Sequence, residues 1–198
     1  PFASGLCSQL VKAERPTQNP GITRLLYVGN ISIAKGIRIL IEAFRALRTR
    51  HGPSITLDLI GAAQPCAFAY LSKLPQGCVW HGAMPQAKLA EHLLSDDIFV
   101  FPSLSEGSSL AVLEAMAAGC AVITTPDAGS PITHQKNGLL IRPRDNNALI
   151  DAIQALHAAP ARVQALGVAA RDLIATNITM DYGTRSEAAY ERVLAHHA

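Results

Sequence analysis

Two glutamates, Glu106 and Glu114, stand eight positions apart in the stretch FPSLSEGSSLAVLEAMAAG. Carboxylates accept hydrogen bonds, which suits them to the hydroxyls of ribose and other sugars. Gly107, Ser108, Ser109, Leu110 and Ala111 follow the first acid, where an apolar helix can begin. Ser108 or Ser109 can cap that helix. The amides after the cap have no acceptor within the helix and can serve an anion. A second stretch, GNISIAKG, spans residues 29–36 and holds Gly29, Asn30 and Lys35. Its glycines allow close backbone approach, and a lysine just ahead of a helix suits a phosphate. The two stretches together offer donors for phosphate and acceptors for hydroxyls.

Each residue also has a plainer role. Gly29 can simply end a strand, Lys35 can be a solvated residue at a helix start, and Glu106 can be a first-turn acid favoured by the helix dipole. Glu114 fits such a role less well. Val112, Leu113, Ala115, Met116 and Ala117 surround it, so its helix reads as buried. A buried carboxylate without a partner costs on the order of several kcal/mol, and a ligand-facing position removes that difficulty. Neither stretch is a GxGxxG fingerprint or a GxxxxGK[ST] phosphate loop, and SEGSSLA is not a G-x-S-x-G nucleophile elbow.

Both stretches must be placed by strands and helices. Apolar runs that read as strands occur at residues 24–29, 54–61, 78–82, 97–103, 120–125 and 138–143. Segments with helical spacing alternate with them: 35–52, 67–74, 86–96, 110–119 and 146–160, then 161–175 and 182–196. The strands are apolar on both faces, as in a parallel sheet covered by helices on each side. Right-handed crossovers then give a doubly wound, Rossmann-like α/β domain of about six strands with C-terminal helices. Ligands bind such sheets beyond the C-terminal ends of the strands. Both candidate stretches leave a strand and enter a helix, so both fall at such ends.

The composition narrows the class. Hydrophobic residues make up 49% of the 198, enough for a sizeable core. Seventeen basic and fifteen acidic residues leave a net charge of +2, with no basic run of the kind that binds nucleic acid. Cys7, Cys66, Cys78 and Cys120 form no CxxC pair and read as reduced thiols of a cytoplasmic protein. His51, His81, His92 and His134 are scattered without ligand spacing, so no metal site is expected. Trp80 and His81, ending the third strand, read as lining the same cleft, with Trp80 chiefly a packing residue. No apolar stretch is long enough for a transmembrane helix. Residues 1–22 read as a linker from a preceding domain, 23–176 as the ligand-binding domain, and 177–198 as a C-terminal helix.

Three segments carry a resemblance: LLYVGNISIAKGIRILIEAF, VWHGAMPQAKLAEHLLSDDIFVFPSLSEGSSLAVLEAMAAGCAVITT and NGLLIRPRDNNALIDAIQAL. They resemble the C-terminal, donor-binding domain of GT-B-fold glycosyltransferases, especially family 4. The resemblance implies a retaining transfer of a sugar from a UDP-, GDP- or similar donor to a glycan or lipid-linked acceptor, without a cofactor or bound metal. It places Lys35 on the diphosphate, the amides around Ser108 to Ala111 beside it, Glu106 at the donor sugar and Glu114 on the ribose. Lys35 and Glu106 would thus be the catalytic pair. It also implies an N-terminal partner domain that supplies the acceptor site, and through which the protein could associate peripherally with the inner face of a membrane. The final helix would pack back toward that domain.

Three departures from the family pattern stand out. Asn30 replaces the usual arginine, Ser108–Ser109 replace Phe-Gly, and DAGSPITHQKNG lacks the usual acid. Asn30 favours an alternative, a non-catalytic nucleotide-binding or assembly module on the same fold.

Overall fold

The computed structural model describes residues 5–16 and 21–179. Six parallel strands form one sheet in the order β3-β2-β1-β4-β5-β6. They are β1 (Thr23–Val28), β2 (Ile55–Ile60), β3 (Cys78–Trp80), β4 (Ile98–Phe101), β5 (Ala121–Thr124) and β6 (Leu139–Leu140). This is the doubly wound Rossmann order. The central strands β4 and β5 are buried at every residue, as their unbroken apolar runs require. On β2 buried and partly exposed residues alternate, and the edge strand β3 leaves Val79 48% exposed.

The helices are α1 (Gly5–Lys12), α2 (Ile37–His51), α3 (Phe68–Leu71), α4 (Gln86–Ser95), α5 (Leu110–Ala118), α6 (Asn146–His157) and α7 (Pro160–Thr179). Helix α2 packs with α6, while α5 packs with α1, α4 and α7. Ile37, Leu40, Ile41, Phe44 and Leu47 form the buried stripe of α2, as their spacing predicts. Helix α5 is buried along nearly all of its length. Its C-terminal Gly119 takes φ 80°, the left-handed stop that glycine accommodates without strain.

The expected linker at residues 1–22 is corrected in part. Residues Gly5–Lys12 form α1, and Leu6, Cys7 and Leu10 bury its apolar side against the body of the domain. Two arginines fasten this segment. Arg15 donates to the carbonyls of Leu93 (3.2 Å) and Ala118 (2.9 Å). Arg171 of α7 donates to those of Val11 (3.1 Å) and Leu10 (3.2 Å). The expected helix at 182–196 lies outside the described residues.

The sixth strand is shorter than expected. Its ladder with β5 covers only Leu139 and Leu140. The chain turns away at Pro143 and at Arg144, whose φ is 63°.

Candidate nucleotide-sugar site

The strand order reverses around β1 and β4, which are neighbours in the sheet. The turns that follow them are therefore side by side, although about 70 residues separate them in sequence. Backbone contacts join the two turns closely. The Leu104 amide donates to the Ala34 carbonyl at 2.9 Å. Gly36, at φ 77°, lies so near Pro102 that an ideal Cβ would stand 2.0 Å from the Pro102 carbonyl oxygen. Only glycine fits this crossing.

Across this junction the Lys35 ammonium forms an ion pair with Glu106 Oε2. The same ammonium donates to the Ser105 carbonyl at 3.1 Å. Both side chains of the pair are 24% exposed, so water and a ligand can reach them. The family resemblance implies separate parts of a ligand for these two side chains, and the structure joins them to one another. Beneath the pair, the rings of Tyr27 and Phe101 stack at 5.6 Å. The Tyr27 hydroxyl donates to the Asn30 carbonyl at 2.9 Å. Burial first, and then the charge of Glu106, push the Tyr27 phenol upward, keeping it a neutral donor. Sequence reasoning missed Tyr27 as a support of this turn; its place two residues before Gly29 was the available signal.

The turn after β4 also meets the turn after β5. The Ser109 amide donates to the Ala128 carbonyl at 3.1 Å. An ideal Cβ on Gly129 would stand 2.3 Å from the Gly107 carbonyl oxygen. Ser109 occupies the N-cap position of α5, but its hydroxyl makes no capping bond. The Ser109 amide is thus committed within the protein. The first hydrogen bond of α5 runs from the Leu113 amide to the Ser109 carbonyl at 3.3 Å. Leu110, Ala111 and Val112 are left as first-turn amides without an intrahelical acceptor. Ser108 and Leu110 are exposed, and the space where a Gly107 side chain would stand is open. Glu114 lies farther along the same helix and is 7% exposed.

A second cluster lies lower on the sheet. Asp58 of β2 and His81, just after β3, pair at 2.6 Å. His92 Nδ1 of α4 stands 3.6 Å from Asp96 Oδ2, just beyond that helix. The His81 and His92 rings are 5.1 Å apart. Two of the histidines that read as scattered, His81 and His92, are brought together here, and His81 pairs with Asp58. Trp80 instead donates to the Gly61 carbonyl at 3.0 Å and packs edge-on against Phe68. Asp96 is pushed up to about 7, first by burial and then by Asp58 and Asp97.

The six-stranded parallel sheet and its strand order define a Rossmann-like α/β class of domain. The chain belongs to the glycosyl transferases group 1 family, whose model matches residues 22–159. It is 33% identical over 162 residues to a D-inositol 3-phosphate glycosyltransferase of Pseudarthrobacter chlorophenolicus, covering 77% of this chain and 38% of that protein. Its fold matches the C-terminal domain of a group 1 glycosyl transferase, LpcC, from Francisella tularensis. That match has a TM-score of 0.76 and 24% identity, and covers 86% of this chain and 98% of the other. The fold also matches Anabaena HepE, solved with UDP and glucose: TM-score 0.71, 19% identity, 88% of this chain and 49% of that one. The chain spans 31% to 44% of the length of the relatives it matches in sequence. No described helix is long and apolar enough to cross a membrane.

Proposed function

We propose that this chain is the donor-binding half of a retaining glycosyltransferase that uses a nucleoside diphosphate sugar. The observation that carries the reading is the Lys35–Glu106 ion pair at the switch point of the sheet, in the turn that leads into α5. Lys35 and the first-turn amides supply positive charge and N–H donors where a diphosphate would rest. Glu106 would accept from the donor sugar, and Glu114 from the ribose hydroxyls. Stabilising the departing diphosphate is the main electrostatic task of the transfer, and Lys35 can perform it without a metal.

Lys35 is already neutralised by Glu106. Donor binding therefore exchanges part of that ion pair for a lysine–diphosphate contact and frees the Glu106 carboxylate for the sugar. Coupling the two events would make occupation by an intact nucleotide sugar more favourable than either half alone. The acceptor would be a glycan or lipid-linked saccharide held by a second Rossmann-like domain. This chain alone is expected to bind donor and to transfer little. UDP, GDP and ADP titrations by calorimetry test the reading, and silence with all three at millimolar concentration would refute it.

The second reading, a non-catalytic nucleotide-binding module, rests on Asn30. This residue is exposed where the family pattern has an arginine. Asn30→Arg separates the two: a gain in donor affinity with no activity in the complete protein favours the module.

A further inference from the structure

We propose that Asp58, His92 and Asp96 form a binding site for a transition-metal dication of the Zn2+ class, with His81 orienting Asp58. One ligand atom from each of the three lies within 4.8 Å of the others. They come from β2, from α4 and from the residue that ends α4, three rigidly placed positions. The site sits on the α4 side of the sheet. Asp96 precedes β4, whereas Glu106 follows it, so the ion would be held away from the donor turns.

The second observation is the state of Asp96. The residue is 2% exposed, and its Oδ2 accepts no hydrogen bond from any described residue. A buried carboxylate oxygen without a donor is costly, and a cation is a direct remedy. The separation of 3.6 Å between Asp96 Oδ2 and His92 Nδ1 is too long for a hydrogen bond. It is close to the separation of about 3.4 Å between two ligands of a tetrahedral ion bound at about 2.1 Å. The three ligand atoms, within 4.8 Å of one another, must draw together to complete such a shell. His81 holds one Asp58 oxygen at 2.6 Å and leaves the other for the ion, as outer partners of metal ligands do.

Charge and ligand type agree. Two carboxylates and a neutral imidazole carry a charge that a dication cancels. Arg15 and Arg24 soften the field at Asp96, but the nearest arginine contact is from Arg15 to the Asp96 backbone carbonyl, not to the carboxylate. Imidazole among the ligands favours zinc-like ions over Mg2+ or Ca2+, which prefer all-oxygen shells. The ion would tie β2 to the end of α4 and act on stability, not on sugar transfer.

The test uses the whole chain, stripped with chelator and then titrated with Zn2+, with Co2+ as a visible-absorption probe. Expected are one bound ion per chain, cobalt bands of a low-coordinate N/O site, and a melting temperature raised by Zn2+ but not by Mg2+. Asp96→Asn preserves shape and removes the buried charge. It should weaken Zn2+ binding by at least about tenfold while the metal-free variant melts no lower than the parent. His92→Gln should also lose the ion, providing a second variant should the first fail to fold. Absence of stoichiometric binding would overturn the proposal. So would an equal Mg2+ effect, or Zn2+ affinity unchanged in both variants, which would assign the ion to other groups.

Discussion

The ammonium of Lys35 and the carboxylate of Glu106 pair across the seam between the turns after β1 and β4. This pair links a lysine suited to a diphosphate with an acid suited to a sugar. It also predicts how the two will compete. Lys35→Ala removes a half-buried ion pair, whose contribution to folding is about 1 kcal/mol or less. Its melting temperature should barely move, while UDP affinity should fall about tenfold through loss of a charge-assisted contact. Glu106→Gln should act oppositely on UDP. With its counter-charge gone, Lys35 is free, and UDP should bind a few-fold more tightly. Calorimetry with UDP reads both, and equal losses in the two variants would contradict the exchange of partners.

The seam itself depends on Gly36. Alanine there must bear φ 77° and a Cβ driven against the Pro102 carbonyl. Gly36→Ala should cost on the order of 2 kcal/mol or more, which is a fall of about 5 °C or more in melting temperature for a domain of this size. Gly107→Ala provides the contrast, because a Cβ there meets nothing within 4 Å. It should fold normally, and any effect should appear only in ligand affinity. Comparable melting temperatures for the two variants would show that the turns do not pack as described.

Acid sensitivity should arise in part at the α2–α6 contact. His157 donates or accepts at 2.8 Å with Thr23 Oγ1 and faces the His51 ring at 4.5 Å. Burial first, and then His51, depress its affinity for a proton. The unfolded chain therefore takes up the proton first. Stability present at neutral pH should decline as pH falls below the unfolded histidine value of about 6.5. Melting temperatures of the parent and of His157→Gln between about pH 7.5 and 5.5 check this. The variant should show the flatter profile, and parallel profiles would remove His157 from the account.

Much of the architecture was legible because it rests on local patterns. Unbroken apolar runs marked β4 and β5, and the stripe through Ile37, Leu40, Phe44 and Leu47 marked α2. The positions of Lys35 and Glu106 at strand ends followed from the alternation alone. Their ion pair did not, since it depends on β1 and β4 being neighbours. Helix α1 was not legible because eight residues seldom form a helix unaided; Leu6, Cys7 and Leu10 need the surface of α5 and α7 to bury against. The Ser109 amide looked free until the turn after β5 was placed beside it. Asp58, His81, His92 and Asp96 are spread over three elements, and no spacing in the chain announces that α4 delivers His92 to β2.

The most direct test of the nucleotide-sugar account is a calorimetric comparison of UDP with its 2′,3′-dideoxyribose analogue, in the parent and in Glu114→Gln. If Glu114 accepts from the ribose hydroxyls, the parent should prefer UDP by about tenfold or more, since charged hydrogen bonds contribute about 1.5–3 kcal/mol. Glu114→Gln should lose most of that preference without a comparable change in affinity for the analogue. Failure of the parent to bind UDP, GDP or ADP at millimolar concentration, or the same ribose preference in both proteins, would contradict it.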